Sequence, residues 1–343
     1  MTLRRAFSSL RAKSMKRLVS LSLLAVALAH LFVLVPDSPA ALVWRKSEGW
    51  SWEGSTVTIA KTPKEQIELG RQYQAKKDYS NAIASYRRLI KRWPTSSAAQ
   101  DARFGLAECL SARGYHFKAF QTYQELIDKH PNTEHFDEAL QRQFEIGNLF
   151  LTGERDKAWG VRLFPAIDKS VQIFEQVVKN GPYSPTAPEA QFRIGLAYEK
   201  QRMYLDAVHA YEVVLDRYAK HPMAETAQFQ MGYAYKQESS RAEYDKNSAN
   251  QSIAAFSDFL IRYPKSDKAE VARQYLGDLK QEQSRGLFTI GEFYEKRKKY
   301  GAALIYYNEV LEQNPQSTWA ESAKDKITGL TALSKPATAT ATP

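Results

Sequence analysis

Residues 70–94 read GRQYQAKKDYSNAIASYRRLIKRWP, and variants of this stretch recur along most of the chain. A small residue begins the stretch, an alanine follows twelve positions later, a tyrosine four positions after that, and a proline 24 positions from the start. The same spacing begins at Ala107 and at Gly291. Three further copies are longer from small residue to proline: Gly147 to Pro182, Gly195 to Pro222 and Gly232 to Pro264.

Apolar residues within each copy are spaced for two helices with a turn between them. In the first copy, Thr62 and Pro63 suit an N-cap and first turn, and Pro94 ends the second helix because proline lacks an amide donor. A recurring helix–turn–helix of about 34 residues is the tetratricopeptide pattern, in which stacking buries apolar faces that one unit cannot bury alone. The sequence therefore predicts an all-α fold, a right-handed tetratricopeptide-repeat α-solenoid of about six units plus a C-terminal capping helix.

The copies also predict boundaries. We expect the solenoid at residues 62–330, with units at 62–97, 100–135, 138–187, 188–223, 225–267 and 284–318 and the cap at 319–330. The third and fifth units carry insertions between their helices, and insertions of this kind form loops on one face of a solenoid, often the binding face. Residues 331–343 lack large apolar anchors and are predicted to be a disordered tail.

The N-terminal residues 1–40 have the pattern of a signal peptide. Several basic residues precede the apolar run Leu18–Val35, and Ser38–Ala40 offers small residues for cleavage. We expect export to the periplasm of a Gram-negative envelope; the alternative is that the run is retained as a membrane anchor. No cysteine follows the run for lipid attachment, so we expect a protein peripheral to the outer membrane.

Cleavage after residue 40 would remove six basic residues and one acidic residue, which changes the net charge from +10 to +5. This charge does not indicate a nucleic-acid partner. Residues 41–61 form a tryptophan-rich arm with Trp44, Trp50 and Trp52, and we expect it to lie against the first repeats or against a partner.

Two neighbouring stretches resemble a known family. Residues 253–279 read IAAFSDFLIRYPKSDKAEVARQYLGDL, residues 286–317 read GLFTIGEFYEKRKKYGAALIYYNEVLEQNPQS, and a long linking helix is expected to join them. Together with residues 79–97, they are similar to the BamD family of outer-membrane assembly lipoproteins, which are periplasmic tetratricopeptide proteins. The resemblance implies a scaffold beside a BamA-like insertase that receives unfolded outer-membrane proteins.

Motifs of catalysis are absent from the sequence. It has no phosphate-binding G-x-x-x-x-G-K, zinc-binding H-E-x-x-H, G-x-S-x-G or C-x-x-C motif, and its single cysteine, Cys109, falls at a helical core position. We therefore expect no enzyme, cofactor or metal. Two other functions remain open: an adaptor of another envelope system, such as a Tol–Pal-associated or polysaccharide-export system, and a periplasmic holdase chaperone.

The fifth position of helix A in such repeats faces the concave surface and suggests a peptide-binding groove. Its residues suit apolar or aromatic peptide segments rather than an acidic C-terminus. The alternative is that these side chains pack between adjacent A helices. The groove candidates, with two further residues of the same helices, are Ile67, Phe104, Phe144, Phe192, Phe229, Phe288, Asn148 and Tyr233.

A basic run occupies the turn of the sixth unit and is a candidate for partner contact. It comprises Lys296, Arg297, Lys298 and Lys299, followed by Tyr300. Such a run could meet anionic lipid or an acidic partner, and the alternative is a solvated turn.

Overall fold

The computed structural model describes residues 41–45, 49–53, 60–154, 157–158, 161–162, 167–241 and 246–334. The chain divides into two compact units, Met1–Lys61 and Thr62–Pro343, which we describe separately. The predicted signal peptide and the tail beyond residue 334 lie outside the described residues.

In the first unit the described part of the tryptophan-rich arm is a β-hairpin. Strand β1 (Ala41–Arg45) pairs antiparallel with β2 (Gly49–Glu53), and Trp44 lies opposite Trp50 in the register. The sequence predicted the arm without this hairpin.

The second unit is the solenoid, and its described residues contain thirteen α-helices. They are α1 (Pro63–Ala75), α2 (Tyr79–Arg92), α3 (Ser97–Ala112), α4 (His116–Lys129), α5 (Phe136–Leu151), α6 (Ile167–Asn180), α7 (Ala187–Lys200), α8 (Tyr204–Arg217), α9 (Met223–Arg241), α10 (Lys246–Arg262), α11 (Ala269–Lys296), α12 (Tyr300–Gln313) and α13 (Thr318–Ser334). Each helix packs against the next one in the chain. The predicted all-α tetratricopeptide-repeat solenoid is confirmed.

Odd-numbered helices α1 to α11 are the A helices of six units, and even-numbered helices α2 to α12 are the B helices. Helix α11 is continuous and contains both the expected linking segment and helix A of the sixth unit. The last helix, α13, extends four residues beyond the predicted cap boundary. A short antiparallel pair, β3 (Lys157–Ala158) and β4 (Val161–Arg162), lies in the insertion of the third unit.

Each unit closes around an aromatic side chain of helix B that packs on a small residue of helix A. In the fourth unit, a Cβ added to Gly195 would lie 2.3 Å from the ring of Tyr211. Glycine is therefore required there by the close approach of the ring. The aromatic residues of the six units, all at most 1% exposed, are Tyr86, Tyr123, Phe174, Tyr211, Phe256 and Tyr307.

Local sequence signals start and end the helices as expected. Thr62 caps α1, since its Oγ1 accepts from the amide of Glu65 at 3.2 Å while the Glu65 carboxylate accepts from the Thr62 amide at 3.3 Å. The turns between helices A and B use left-handed backbone at Lys77, Gly114 and Gly153 and again at two later turns, Arg202 and Lys298. Cys109 is fully buried in α3, and burial, with a smaller effect of Glu108, raises the pKa of its thiol to about 12.

Candidate functional site

The predicted groove residues separate into a buried group and an accessible group. Phe144, Phe192, Phe229 and Phe288 are between 6% and 9% exposed, and Ile67 is 6% exposed. Each of the four rings packs on the B-helix aromatic residue of its own unit, with centroids 5.2 to 5.7 Å apart. These five side chains lie in the core, which is the alternative that the sequence left open, and their contact with a peptide stays a prediction.

Phe104, Asn148 and Tyr233 are only partly buried. The Phe104 ring stacks on the His135 imidazole with centroids 4.5 Å apart and planes 13° apart. Tyr233 on α9 lies beside Tyr275 on α11, with ring centroids 6.1 Å apart. The Oδ1 atom of Asn148 is buried and has no hydrogen-bond partner in the described part of the chain. Of the predicted groove residues, these three therefore have surface that a peptide could reach.

A cleft of about 420 Å³ opens on the A-helix side of the first three units. Arg71 of α1 and His135, which precedes α5, both contact the carboxylate of Asp101 on α3, at 3.0 and 3.2 Å. The stacked Phe104 ring forms its apolar wall, and Glu108 adds a second carboxylate. The cleft therefore offers an aromatic surface edged by charges of both signs.

Tyrosines on four B helices donate their hydroxyl protons to acceptors on helix A, a feature that sequence reasoning missed. The pairs are Tyr86 to Gln74 Oε1 at 2.7 Å, Tyr123 to Glu108 Oε1, Tyr211 to Glu199 Oε1 at 2.8 Å, and Tyr307 to Glu295 Oε2 at 2.6 Å. In three of these units the acceptor precedes the tyrosine by twelve residues, and this spacing is the signal that could have found it. The two units with phenylalanine instead carry Leu151 and Lys236 four residues after their glycine, where these three units carry the acceptor.

The carboxylates in this series differ in their electrostatic environment. Glu295 also accepts from the Lys326 ammonium at 3.0 Å; burial acts to raise its pKa, but the bonds from Tyr307 and Lys326 outweigh burial and lower it. Glu199 accepts from the Gln230 amide at 3.2 Å, and burial raises its pKa to about 7 although the bonds from Tyr211 and Gln230 act to lower it. Glu199 is thus a carboxyl group that is close to half protonated at neutral pH.

The predicted basic run forms the turn between α11 and α12, with four exposed basic side chains and a partly buried Tyr300. The Arg297 guanidinium carbon lies 3.5 Å from the centroid of the Phe293 ring. Phe293 and Ile290 on the last turns of α11 are 49% and 39% exposed. Sequence reasoning missed these two residues, which give the basic turn an adjacent apolar surface.

Two family models match parts of the chain. Residues 67–133 match a tetratricopeptide-repeat model, and residues 166–333 match the YfiO model, which is described as an outer membrane lipoprotein. Among curated proteins, none is similar enough to the chain to count as a match.

Several solved structures of repeat proteins show weak similarity. The crystal structure of MamA protein is 15% identical with a TM-score of 0.35, and the match covers 62% of this chain and 96% of that chain. A tetratricopeptide repeat protein from Parabacteroides merdae is 13% identical with a TM-score of 0.34, covering 79% and 100%. YrrB, a TPR protein with an unusual peptide-binding site, is 13% identical with a TM-score of 0.34, covering 61% and 90%. Similarities this low carry no argument about function.

The repeats and their packing define the class: the protein is a tetratricopeptide-repeat scaffold. Its C-terminal units are those of a BamD-like outer-membrane lipoprotein domain, which confirms the resemblance first found at residues 250–318. Among the helices that the structure describes, none has the length and apolar composition needed to cross a bilayer.

Proposed function

We propose that the protein is a non-enzymatic periplasmic scaffold of the machinery that assembles β-barrel proteins in the outer membrane. It lies peripheral to that membrane, binds unfolded outer-membrane proteins and contacts a BamA-like insertase. The observation that carries the proposal is the match of residues 166–333 to an outer membrane lipoprotein family. This match extends over the last three units and the cap, including the basic turn.

The accessible residues of the A helices support binding of extended, aromatic segments. Barrel strands alternate lipid-facing apolar residues with polar residues, and they end in girdles of aromatic side chains. The stacked Phe104–His135 pair and the Tyr233–Tyr275 pair each present a ring edge or face to such side chains. Charged groups around Asp101 can satisfy the polar residues between them.

The basic turn supports contact with a partner subunit. Exposed basic side chains beside the apolar Phe293 and Ile290 form a surface of mixed character, which is typical of the rim and core of a protein interface. In this proposal the C-terminal units contact the insertase, and the first units receive clients.

Depletion in cells, combined with site-specific crosslinking, tests the proposal. A photo-crosslinking amino acid at the exposed position Lys299 should capture the BamA-like insertase, and the same amino acid at the exposed Arg87 on α2 should not. Depleting the protein should lower the abundance of many barrel proteins together, measured by quantitative proteomics of the outer membrane.

Normal barrel-protein levels after depletion would contradict the proposal. Recovery of Tol–Pal components by the crosslinker at position 299 would then favour an adaptor of that envelope system.

A further inference from the structure

The tyrosine acceptors show how this chain treats a carboxylate on its A-helix face. Glu108 forms an ion pair with Arg142 from the next unit, with Nε 3.1 Å from Oε1. Glu295 receives both Oε contacts from Lys326 of the cap helix, at 3.0 and 3.2 Å. Each of these two carboxylates is therefore compensated by a cation from the following A-type helix.

Gln74 is the neutral member of the series. As an amide it requires no cation, and the residue 31 positions later is Gly105, which has no side chain to supply one. The spacing is the same between Glu295 and Lys326. Charge on the acceptor and charge on the residue that follows it thus go together in these units.

Glu199 departs from this pattern. The residue 31 positions later is Gln230, whose amide donates to both carboxylate oxygens at 3.2 Å, and no lysine, arginine or histidine of the described residues forms an ion pair with Glu199. The carboxylate is partly exposed, so a group from outside the chain can reach it. A partly buried carboxylate without a cation is costly, and this cost favours binding of a positive group.

We propose that Glu199, Gln230 and Tyr233 form a binding site for a lysine or arginine side chain of a peptide lying along the A-helix face. The incoming cation occupies the place that the Lys326 ammonium holds beside Glu295. Tyr233 lies close enough to Glu199 for the carboxylate to contribute to raising the pKa of its phenol, after burial and Tyr275. Its ring offers a face for the cation as well.

The site adds a charge preference to a surface that otherwise offers aromatic contacts. It rests on the proposed function only in that the A-helix face binds peptide, and its test needs no barrel protein and no insertase. Failure here would therefore leave the depletion and crosslinking results unaffected.

The test uses the purified full chain and pairs of extended, tyrosine-containing peptides that differ at one position, lysine in one and norleucine in the other. Fluorescence anisotropy should show the lysine peptide binding about tenfold more tightly, which corresponds to one well-formed charge pair. The preference should disappear in Glu199→Gln. It should also disappear in Gln230→Lys, because the new ammonium would fill the site as Lys326 does at Glu295.

Thr226→Lys is the matched control, since it adds the same charge at a partly buried position one turn earlier on α9 and should leave the preference in place. Equal binding of both peptides to the unmodified protein, or no binding of either, would overturn the proposal. So would a preference that persists in Gln230→Lys. A Glu199 pKa already at or below 4.5 in the free protein, measured by NMR, would show that the chain supplies its own cation and would overturn it too.

Discussion

Phe104 and Phe144 hold the same position of helix A in neighbouring units, but only Phe144 is buried in the core. Phe144→Ala should lower the free energy of unfolding by about 3–5 kcal/mol, because it removes a packed ring and leaves a cavity. Phe104→Ala should cost much less stability and should weaken binding of aromatic peptides, because this ring lines an open cleft. Thermal unfolding and peptide anisotropy on both variants check the prediction. Equal losses of stability would mean that Phe104 is a core residue as well.

Glu199 should make the stability of the protein depend on pH. Its pKa is 4.5 when unperturbed and about 7 in the folded chain, so the folded protein binds more protons than the unfolded chain between these values. The contribution of Glu199 to stability is therefore fully present below pH 4.5 and is lost as the pH rises towards 7.

Glu199→Gln keeps an acceptor for the Tyr211 hydroxyl, as Gln74 does for Tyr86, and removes this dependence. The variant should unfold with a free energy about 1–3 kcal/mol higher than the unmodified protein at pH 8 and about the same at pH 4. Urea unfolding at both pH values measures the difference. A gain of the same size at both would show that the carboxylate does not titrate as described.

At the scale of single elements, the turns between helices A and B impose a backbone requirement. Gly114 has φ of 79° and Lys77 has φ of 60° at equivalent turns. Left-handed backbone costs a residue with a Cβ about 1–2 kcal/mol, so Gly114→Ala should destabilise and Lys77→Gly should stabilise, each by about 1 kcal/mol.

Gly277→Ala is the control for the loss of glycine flexibility. Gly277 lies in helix α11 with open space at its Cβ position, so alanine there should stabilise by about 0.5–1 kcal/mol. Denaturant unfolding of the three variants gives the signs. A stabilising Gly114→Ala would contradict the role assigned to the turn.

The helices themselves were predictable because each is specified locally. The small residue, the alanine, the B-helix aromatic residue and the proline recur at fixed spacing, and Thr62 with Glu65 caps the first helix within four residues. The hairpin β1–β2 was not predicted, since its short strands lack a turn signal that distinguishes them from an irregular arm.

The accessibility of the groove residues could not be derived from spacing alone. Phe104 and Phe144 have the same register in their helices, and their burial depends on how closely the next unit stacks, which is a property of two units together. The hydroxyl acceptors were readable in principle from their twelve-residue spacing. The missing cation at Glu199 becomes visible only when the units are compared in three dimensions.

At the scale of the whole solenoid, each unit is stabilised by its immediate neighbours, so a local loss should stay local. The cap helix α13 supports the sixth unit through Trp319, whose ring lies 5.2 Å from that of Phe288, and through Lys326 on Glu295. Removing the cap interface should therefore loosen the end of α11 and α12 while leaving the first units intact.

Trp319→Ala tests this expectation by hydrogen–deuterium exchange. Amides of α12 and of the last turns of α11 should exchange faster, because opening of a solenoid spreads from its ends, while α1 to α4 keep their protection. Trp93→Ala, at the end of α2 in the first unit, is the matched variant and should produce the mirror pattern. If either substitution accelerated exchange evenly along the chain, the solenoid would unfold as one cooperative body, and an insertase contact at the basic turn would be coupled to the client cleft in the first units.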